Sequence, residues 1–215
     1  MNSLPLQSGR ADSAAWYSGT RIEFLSTPTE IIANQLAGRA ALESLEIEAA
    51  QSDEWFQSVG LLQKTLDERI PILRAALMVP GCESIHDVIL EFDFHRRGLR
   101  MDCLLLGDGA LFVIEFKRSK LQRADRDQVM TYAVNLLEFH RVTREWCSST
   151  GAIVVPLLTL TRGKVSHAPN WPGLSGHSWP ALANRPIECD VSSLGRAISV
   201  GLSNRRSEVP VSRRD

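Results

Sequence analysis

Asp102, Glu115 and Lys117 have the types and spacing to do chemistry together, in the pattern D-x12-E-x-K. Two carboxylates and an amine suit metal-assisted hydrolysis of a phosphodiester. Mg2+ is a hard cation that takes one or two carboxylates, waters and substrate phosphate oxygens. Mn2+ accepts the same donors. Asp102 and Glu115 are the expected ligands, and the carbonyl of Phe116, lying between Glu115 and Lys117, is a further one. Such a metal polarises the phosphate and lowers the pKa of a bound water. Lys117 would orient that water or offset charge on the phosphate in the transition state. The same residues also fit a plain ion pair on a sheet, with Lys117 neutralising Glu115. The spacing is only moderately specific, and from these residues alone both readings stay open.

To bring the acids together, the chain from Val88 to Lys117 must fold as three consecutive strands. The first holds Glu91, Phe92, Asp93 and Phe94, the second opens with Arg100, Met101 and Asp102, and the third runs from Ala110 to Phe116. Gly107, Asp108 and Gly109 supply a tight turn, since Gly and Asp tolerate the positive φ that hairpins need. Counted outward from Asp108, Asp102 is six residues back and Glu115 seven ahead, which makes them candidate cross-strand neighbours. Glu115 and Lys117, two apart, share a strand face. A carboxylate in so apolar a run needs a partner, because an unpaired buried charge is costly.

The flanking chain reads as helical cover. Thr27-Pro28-Thr29-Glu30 predicts a capped helix start, followed by a stripe of Ile31, Ile32, Leu36, Ala40, Leu42 and Leu45. Ser52 or Asp53 predicts the cap of a second helix carrying Trp55, Val59, Leu62 and Leu66, which Pro71 ends or restarts. Gln128 to Trp146 predicts a helix capped at Asp125 or Asp127, with Val129, Tyr132, Ala133, Leu136, Leu137 and His140 along one side. Ala152 to Leu160 predicts a buried strand, which Pro156 places at an edge or a bulge. Residues 161–186 predict an ordered irregular loop, since they carry Trp171 and Trp179 among Pro and Gly. A last helix is expected from Ser192 or Ser193 to about Leu202, then a frayed Arg-rich tail. The expected division is a loose lead-in over 1–20, one domain over 21–160, and an irregular segment with a short helix over 161–215. The fold class is α/β, with a central mixed sheet of four or five strands covered by helices.

Composition narrows the function classes. A net charge of −1 means that any nucleic-acid binding must come from a local basic face. The four cysteines form no C-x-x-C pair, which excludes a zinc ribbon and suits a reducing cytosol. His167 and His177 show no metal-ligand spacing. No apolar run is long enough to span a membrane, and no leader peptide is evident. These features predict a cytoplasmic protein with no membrane partner. A G-x-S-x-G elbow and a phosphate-binding P-loop are both missing.

Taken together, Asp102 and Glu115-Phe116-Lys117 resemble the signature of the PD-(D/E)xK nuclease superfamily, with Met101 where that signature has Pro. Gln128-Val129-Met130-Thr131-Tyr132 resembles the Q-x-x-x-Y motif of its RecB-like members, on the helix after the E-x-K strand. Gln128 and Tyr132 are one helical turn apart and can face the site together. Glu91 resembles an upstream glutamate that members use as an additional metal ligand or general base, although it also has Arg100 as a candidate ion-pair partner. Asp93 is the second choice for that role. The strands, with a Trp-containing helix ahead of them, are similar to the nuclease-like front domain of Schlafen-like bacterial helicases. The resemblance covers Ile22 to Leu160.

It implies a restriction-endonuclease-like core and a Mg2+- or Mn2+-dependent nuclease acting on DNA, in restriction, repair or phage defence. Catalysis would fall to Asp102, Glu115, Lys117, Gln128, Glu91 and Tyr132, and metal binding to Asp102, Glu115, Phe116 and Glu91. Arg96, Arg97 and Arg100 before the cluster, with Arg118, Lys120 and Arg123 after it, would hold phosphates. Those basic residues equally fit a solvated hairpin tip and helix entry. The alternative function is a non-catalytic nucleic-acid-binding or assembly module that regulates a helicase or ATPase partner. Self-association is the other expected partnership.

Overall fold

The computed structural model describes residues 14–46, 68–94, 97–176 and 178–208. Their backbone forms one six-stranded mixed sheet in the order β1-β2-β3-β4-β5-β6. The strands are β1 (Ala15–Thr20), β2 (Ile85–Phe94), β3 (Leu99–Gly107), β4 (Ala110–Lys117), β5 (Ile153–Leu160) and β6 (Ile187–Asp190). The first four form an antiparallel meander, and β4, β5 and β6 run parallel. The expected α/β class and three-strand centre are present, with six strands where four or five were expected.

Helices cover both faces. On one lie α1 (Arg21–Ser26), α2 (Thr29–Glu46), α3 (residues 68–77) and α6 (Leu194–Glu208), which bury Phe24, Ile32, Leu36, Ile70, Leu73, Leu77, Leu194 and Ile198. On the other lie α4 (Arg123–Phe139) and α5 (Arg141–Thr150), which bury Val129, Tyr132, Ala133, Leu136, Leu137 and Cys147. Layers on both faces explain why β5 is buried at every residue and reads as a continuous apolar run. Among the described residues, no helix is long and apolar enough to cross a membrane.

Several boundaries differ from the sequence reading, each for a local reason. The lead-in contains a strand, because Trp16 and Tyr17 pack into the core while their backbone pairs with β2. Thr20 caps α1 through a reciprocal exchange with Glu23. Thr27 therefore ends α1 instead of starting α2, and the carbonyl of Pro28 accepts the first bonds of α2. Ile31 is exposed, so the buried stripe begins at Ile32. The helix expected from Ser52 lies outside the described residues up to Asp67, and α3 runs through Pro71 without a break.

The expected helix over Gln128–Trp146 is two helices meeting at His140, whose Nδ1 lies 2.8 Å from the Thr143 hydroxyl. Pro156 is inside the sheet, paired with Val113 of β4. The N–H of Val154 faces the far side, bonding to Ala181, so the Pro156 nitrogen faces that side too. There the β6 ladder starts only at Leu157, and no donor is missed. The irregular loop is ordered, as expected, with Leu182 bridged to Val154 and Ala183 to Leu174. It delivers β6, and Ser193 then opens α6, which continues past Leu202 to Glu208.

Candidate active site

The Asp108-Gly109 turn sets the register of β3 on β4, pairing Gly107 with Ala110 and Cys103 with Ile114. Gly109 has φ 69°, which only glycine adopts without strain. The next pair outward is Asp102 opposite Glu115. Across β2 and β3, Leu90 pairs with Cys103 and Phe92 with Met101, which places Glu91 opposite Asp102. Three carboxylates thus occupy one row across three adjacent strands, where the β3–β4 ladder stops.

Here the sheet departs from regular geometry. Glu91 has φ 50°, the only positive φ at a non-glycine among the described residues. Leu90 and Phe92, two apart, should share a face, yet Leu90 packs under α3 while Phe92 joins the core beneath α4. Cys103 and Met101 are split the same way.

Glu115, Lys117, Gln128 and Tyr132 form one hydrogen-bonded chain. Lys117 Nζ donates to Glu115 Oε1 at 3.0 Å and to Gln128 Oε1 at 2.8 Å. Gln128 Nε2 donates to Glu115 Oε1 at 3.1 Å and to Tyr132 Oη at 2.6 Å. Gln128 and Tyr132 are i and i+4 on α4, so one helical turn aims both at the strand end. Asp125, named above only as a cap, accepts from the backbone N–H of Gln122 at 2.7 Å and lies 3.3 Å from Lys117 Nζ. Burial works to lower the Lys117 pKa, but its bonds to Glu115 and Asp125 prevail and raise it. The side chain is a fixed ammonium.

Asp102 and Glu91 meet a residue that the sequence reading did not single out. Arg69 of α3 reaches Asp102 Oδ1 at 2.9 Å and Glu91 Oε1 at 3.4 Å, with its guanidinium 5.3 Å from the Phe116 ring centre. The other Asp102 oxygen accepts the backbone N–H of Phe116 at 2.8 Å. Within a strand, the N–H and C=O of one residue point to the same side, so the Phe116 carbonyl also faces β3. Arg100 holds the second oxygen of Glu91 at 3.3 Å and lies over the Trp16 ring.

Two glutamates are protonated far more readily than usual. Burial first, then the charge of Asp102, pushes Glu91 up to about 7 against the pull of Arg69 and Arg100. Burial and Asp102 likewise push Glu115 up to about 7, against the pull of Lys117. Burial also raises Tyr132. Glu115 Oε2 and Arg69 Nε are both buried without a hydrogen-bond partner. An orphan acceptor beside Asp102, with the Phe116 carbonyl on the same side, is an all-oxygen donor set that suits a hard divalent cation. Among the described residues, no three His, Cys, Asp or Glu side chains are disposed to hold a metal ion. Arg69, Arg100 and Lys117 hold the acids instead.

The basic residues divide. Arg118 and Lys120 are exposed just beyond Lys117, and Arg123 is exposed at the start of α4, 3.8 Å from Asp127. These three follow Lys117 within six residues along the chain. Arg126 is held by Glu188 of β6. Arg97 stacks on Phe139 at 3.5 Å, eleven residues along α4 from Gln128 and so about 16 Å further up that helix. The structure therefore does not bring Arg97 to the acids, and Arg100 is engaged with Glu91. Arg96 and His177 lie outside the described residues, and His167 is exposed on the loop. No family model, curated protein or solved structure matches this chain.

Proposed function

We propose that this chain is a divalent-metal-dependent nuclease of the PD-(D/E)xK type, with DNA as its substrate. The observation that carries the reading is the Glu115 constellation. One carboxylate oxygen is bound by Lys117 and Gln128, and the other is buried without a partner beside Asp102. An ion pair made for stability alone would satisfy both oxygens, since a buried unsatisfied acceptor costs about 1–3 kcal/mol.

Asp102, Glu115 Oε2 and the Phe116 carbonyl would hold Mg2+ or Mn2+, with Glu91 able to join them if Arg69 and Arg100 release it. When bound, the cation supplies Lewis-acid polarisation of the phosphate and an acidified water. Lys117 presents a fixed positive charge at the strand end, placed to offset charge that develops on the phosphate. Gln128 sets the direction of both Lys117 and Glu115, and Tyr132 sets Gln128. Arg118, Lys120 and Arg123 offer phosphate contacts on the open side. Roles in restriction, repair or phage defence follow from the family resemblance.

The second reading is a non-catalytic nucleic-acid-binding or assembly module that serves a helicase or ATPase. The ion pairs of Arg69 with both Asp102 and Glu91 favour it, because they balance the acids without a metal. Incubating labelled linear, circular and single-stranded DNA, and RNA, with wild type and Lys117→Ala in Mg2+ or Mn2+ separates the two. Cleavage that Lys117→Ala abolishes supports the nuclease. No cleavage of any substrate, with nucleic-acid binding intact in both proteins, supports the module.

A further inference from the structure

One nitrogen of the Arg69 guanidinium holds two carboxylates while another has no acceptor. Its Nη1 bridges Glu91 and Asp102, at 3.4 and 2.9 Å, from a side chain only 16% exposed. Its Nε is buried with no acceptor, although a guanidinium is most stable when its whole donor edge is matched. A cation at Asp102 must compete with this guanidinium for Oδ1, the one Asp102 oxygen not bound to the Phe116 N–H. Once displaced, Arg69 remains at the site as a planar donor fork with an unused N–H, the geometry that matches two oxygens of a phosphate.

We propose that Arg69 is a two-state counter-ion of the site: it neutralises Asp102 and Glu91 in the cation-free chain, and turns to a nucleic-acid phosphate oxygen when a divalent cation takes Asp102. The assignment rests on the nuclease reading of the same acids. It makes metal and substrate binding cooperative, because the metal frees the arm that the phosphate uses. No covalent step is involved, only an exchange of ion-pair partners.

The test uses the full chain with Ca2+, a hard cation that takes the same oxygen ligands. Calorimetric titration of Ca2+ compares wild type, Arg69→Gln and Asp102→Asn. Arg69→Gln should bind Ca2+ roughly tenfold more tightly, since one charge-assisted bond no longer has to break. Asp102→Asn should lose the binding. Fluorescence anisotropy with duplex DNA in Ca2+ should move the opposite way for Arg69→Gln. Affinity should fall, and the slope of log affinity against log salt should drop by about one phosphate contact.

Opposite signs in the two titrations are the signature, because a merely structural arginine would weaken both. Arg69→Lys keeps the charge without the fork and carries the test if circular dichroism finds Arg69→Gln unfolded. It should bind Ca2+ more tightly than wild type and DNA more weakly. Equal or weaker Ca2+ binding by the Arg69 variants, with Asp102→Asn still losing it, would overturn the role of Arg69 and leave the metal site standing. Ca2+ binding that is absent, or unchanged by Asp102→Asn, would remove the metal site and the role of Arg69 together.

Discussion

Replacing Glu91 with Gln should stabilise the metal-free protein at alkaline pH, although it deletes two ion pairs. The reason lies in the balance around the carboxylate. Glu91 is 3% exposed and sits beside Asp102, and these effects outweigh Arg69 and Arg100, raising its pKa from 4.5 to about 7. Between those values the folded chain keeps the Glu91 proton and the unfolded chain has released it. Stability therefore falls as pH rises through that window and levels off above about 7. A gap of about two and a half pH units at about 1.4 kcal/mol each sets the size of the effect at ~3 kcal/mol. Gln has the shape of the protonated acid and no charge to bury, so Glu91→Gln should gain that amount at pH 8 and almost nothing at pH 4. For a chain of this size, this corresponds to a rise in Tm of roughly 6–12 °C. Urea denaturation in EDTA at pH 4, 5, 6, 7 and 8 measures it directly. A Glu91→Gln protein less stable than wild type at pH 8, or one with an unchanged pH slope, would show that Arg69 and Arg100 dominate and that the acid is held ionised.

Other consequences are simpler to read. The four cysteines are all buried, with burial pushing Cys82 up to about 11, Cys147 and Cys189 up to about 12, and Cys103 upward as well. A thiol-reactive chromophore at pH 8 should therefore label none of them in the native chain and all four in urea, and rapid native labelling would contradict the packing. Gly201→Ala places a Cβ 2.4 Å from the ring of the fully buried Phe112, and should cost about 1–3 kcal/mol by overpacking. An unchanged denaturation midpoint would mean that α6 sits further from β4. Tyr132→Phe removes the acceptor for Gln128 Nε2 at 2.6 Å. It should lower stability by only ~1 kcal/mol and, if the proposed nuclease reading holds, reduce DNA cleavage several-fold; equal activity would show that Gln128 needs no such support.

The centre of this fold is legible in the sequence because its signals are local. The Gly107–Gly109 turn fixes the register that puts Asp102 opposite Glu115, and the i, i+4 spacing of Gln128 and Tyr132 fixes their common direction. The missing parts depend on contacts distant in the chain. β1 lies in a Ser- and Gly-rich stretch with no alternation of its own, and it is a strand because β2 offers an edge to Trp16 and Tyr17. β6 is four residues long, too short for a period to show, and is defined by the ladder of β5. The break at His140 has neither Gly nor Pro to announce it, and its ring packs against Phe92 and Phe94. Arg69 is the most instructive omission. A cation in an amphipathic helix looks like part of a solvated face, and nothing nearby in sequence says that two acids wait across the sheet.

Several features that depart from stable folding fall together at the acid row, although Arg21 Nε at the start of α1 is also buried without a partner. Glu91 holds a left-handed backbone conformation, two glutamates are buried against their preference to ionise, and Glu115 Oε2 and Arg69 Nε lack partners. Each costs stability, and such outliers gather where a protein does its work. Four acids, Glu91, Asp102, Glu115 and Asp125, share three cations, Arg69, Arg100 and Lys117. A sheet built only to be stable would place apolar side chains in that row, as it does one pair inward at Cys103 and Ile114. The surplus carboxylate charge and the orphan oxygen are both relieved by the same addition, a small divalent cation. The orphan guanidinium N–H is relieved by an anion. A metal ion bringing a phosphate satisfies both requirements at once, so the chemistry proposed from three residues of sequence also accounts for the strain around them.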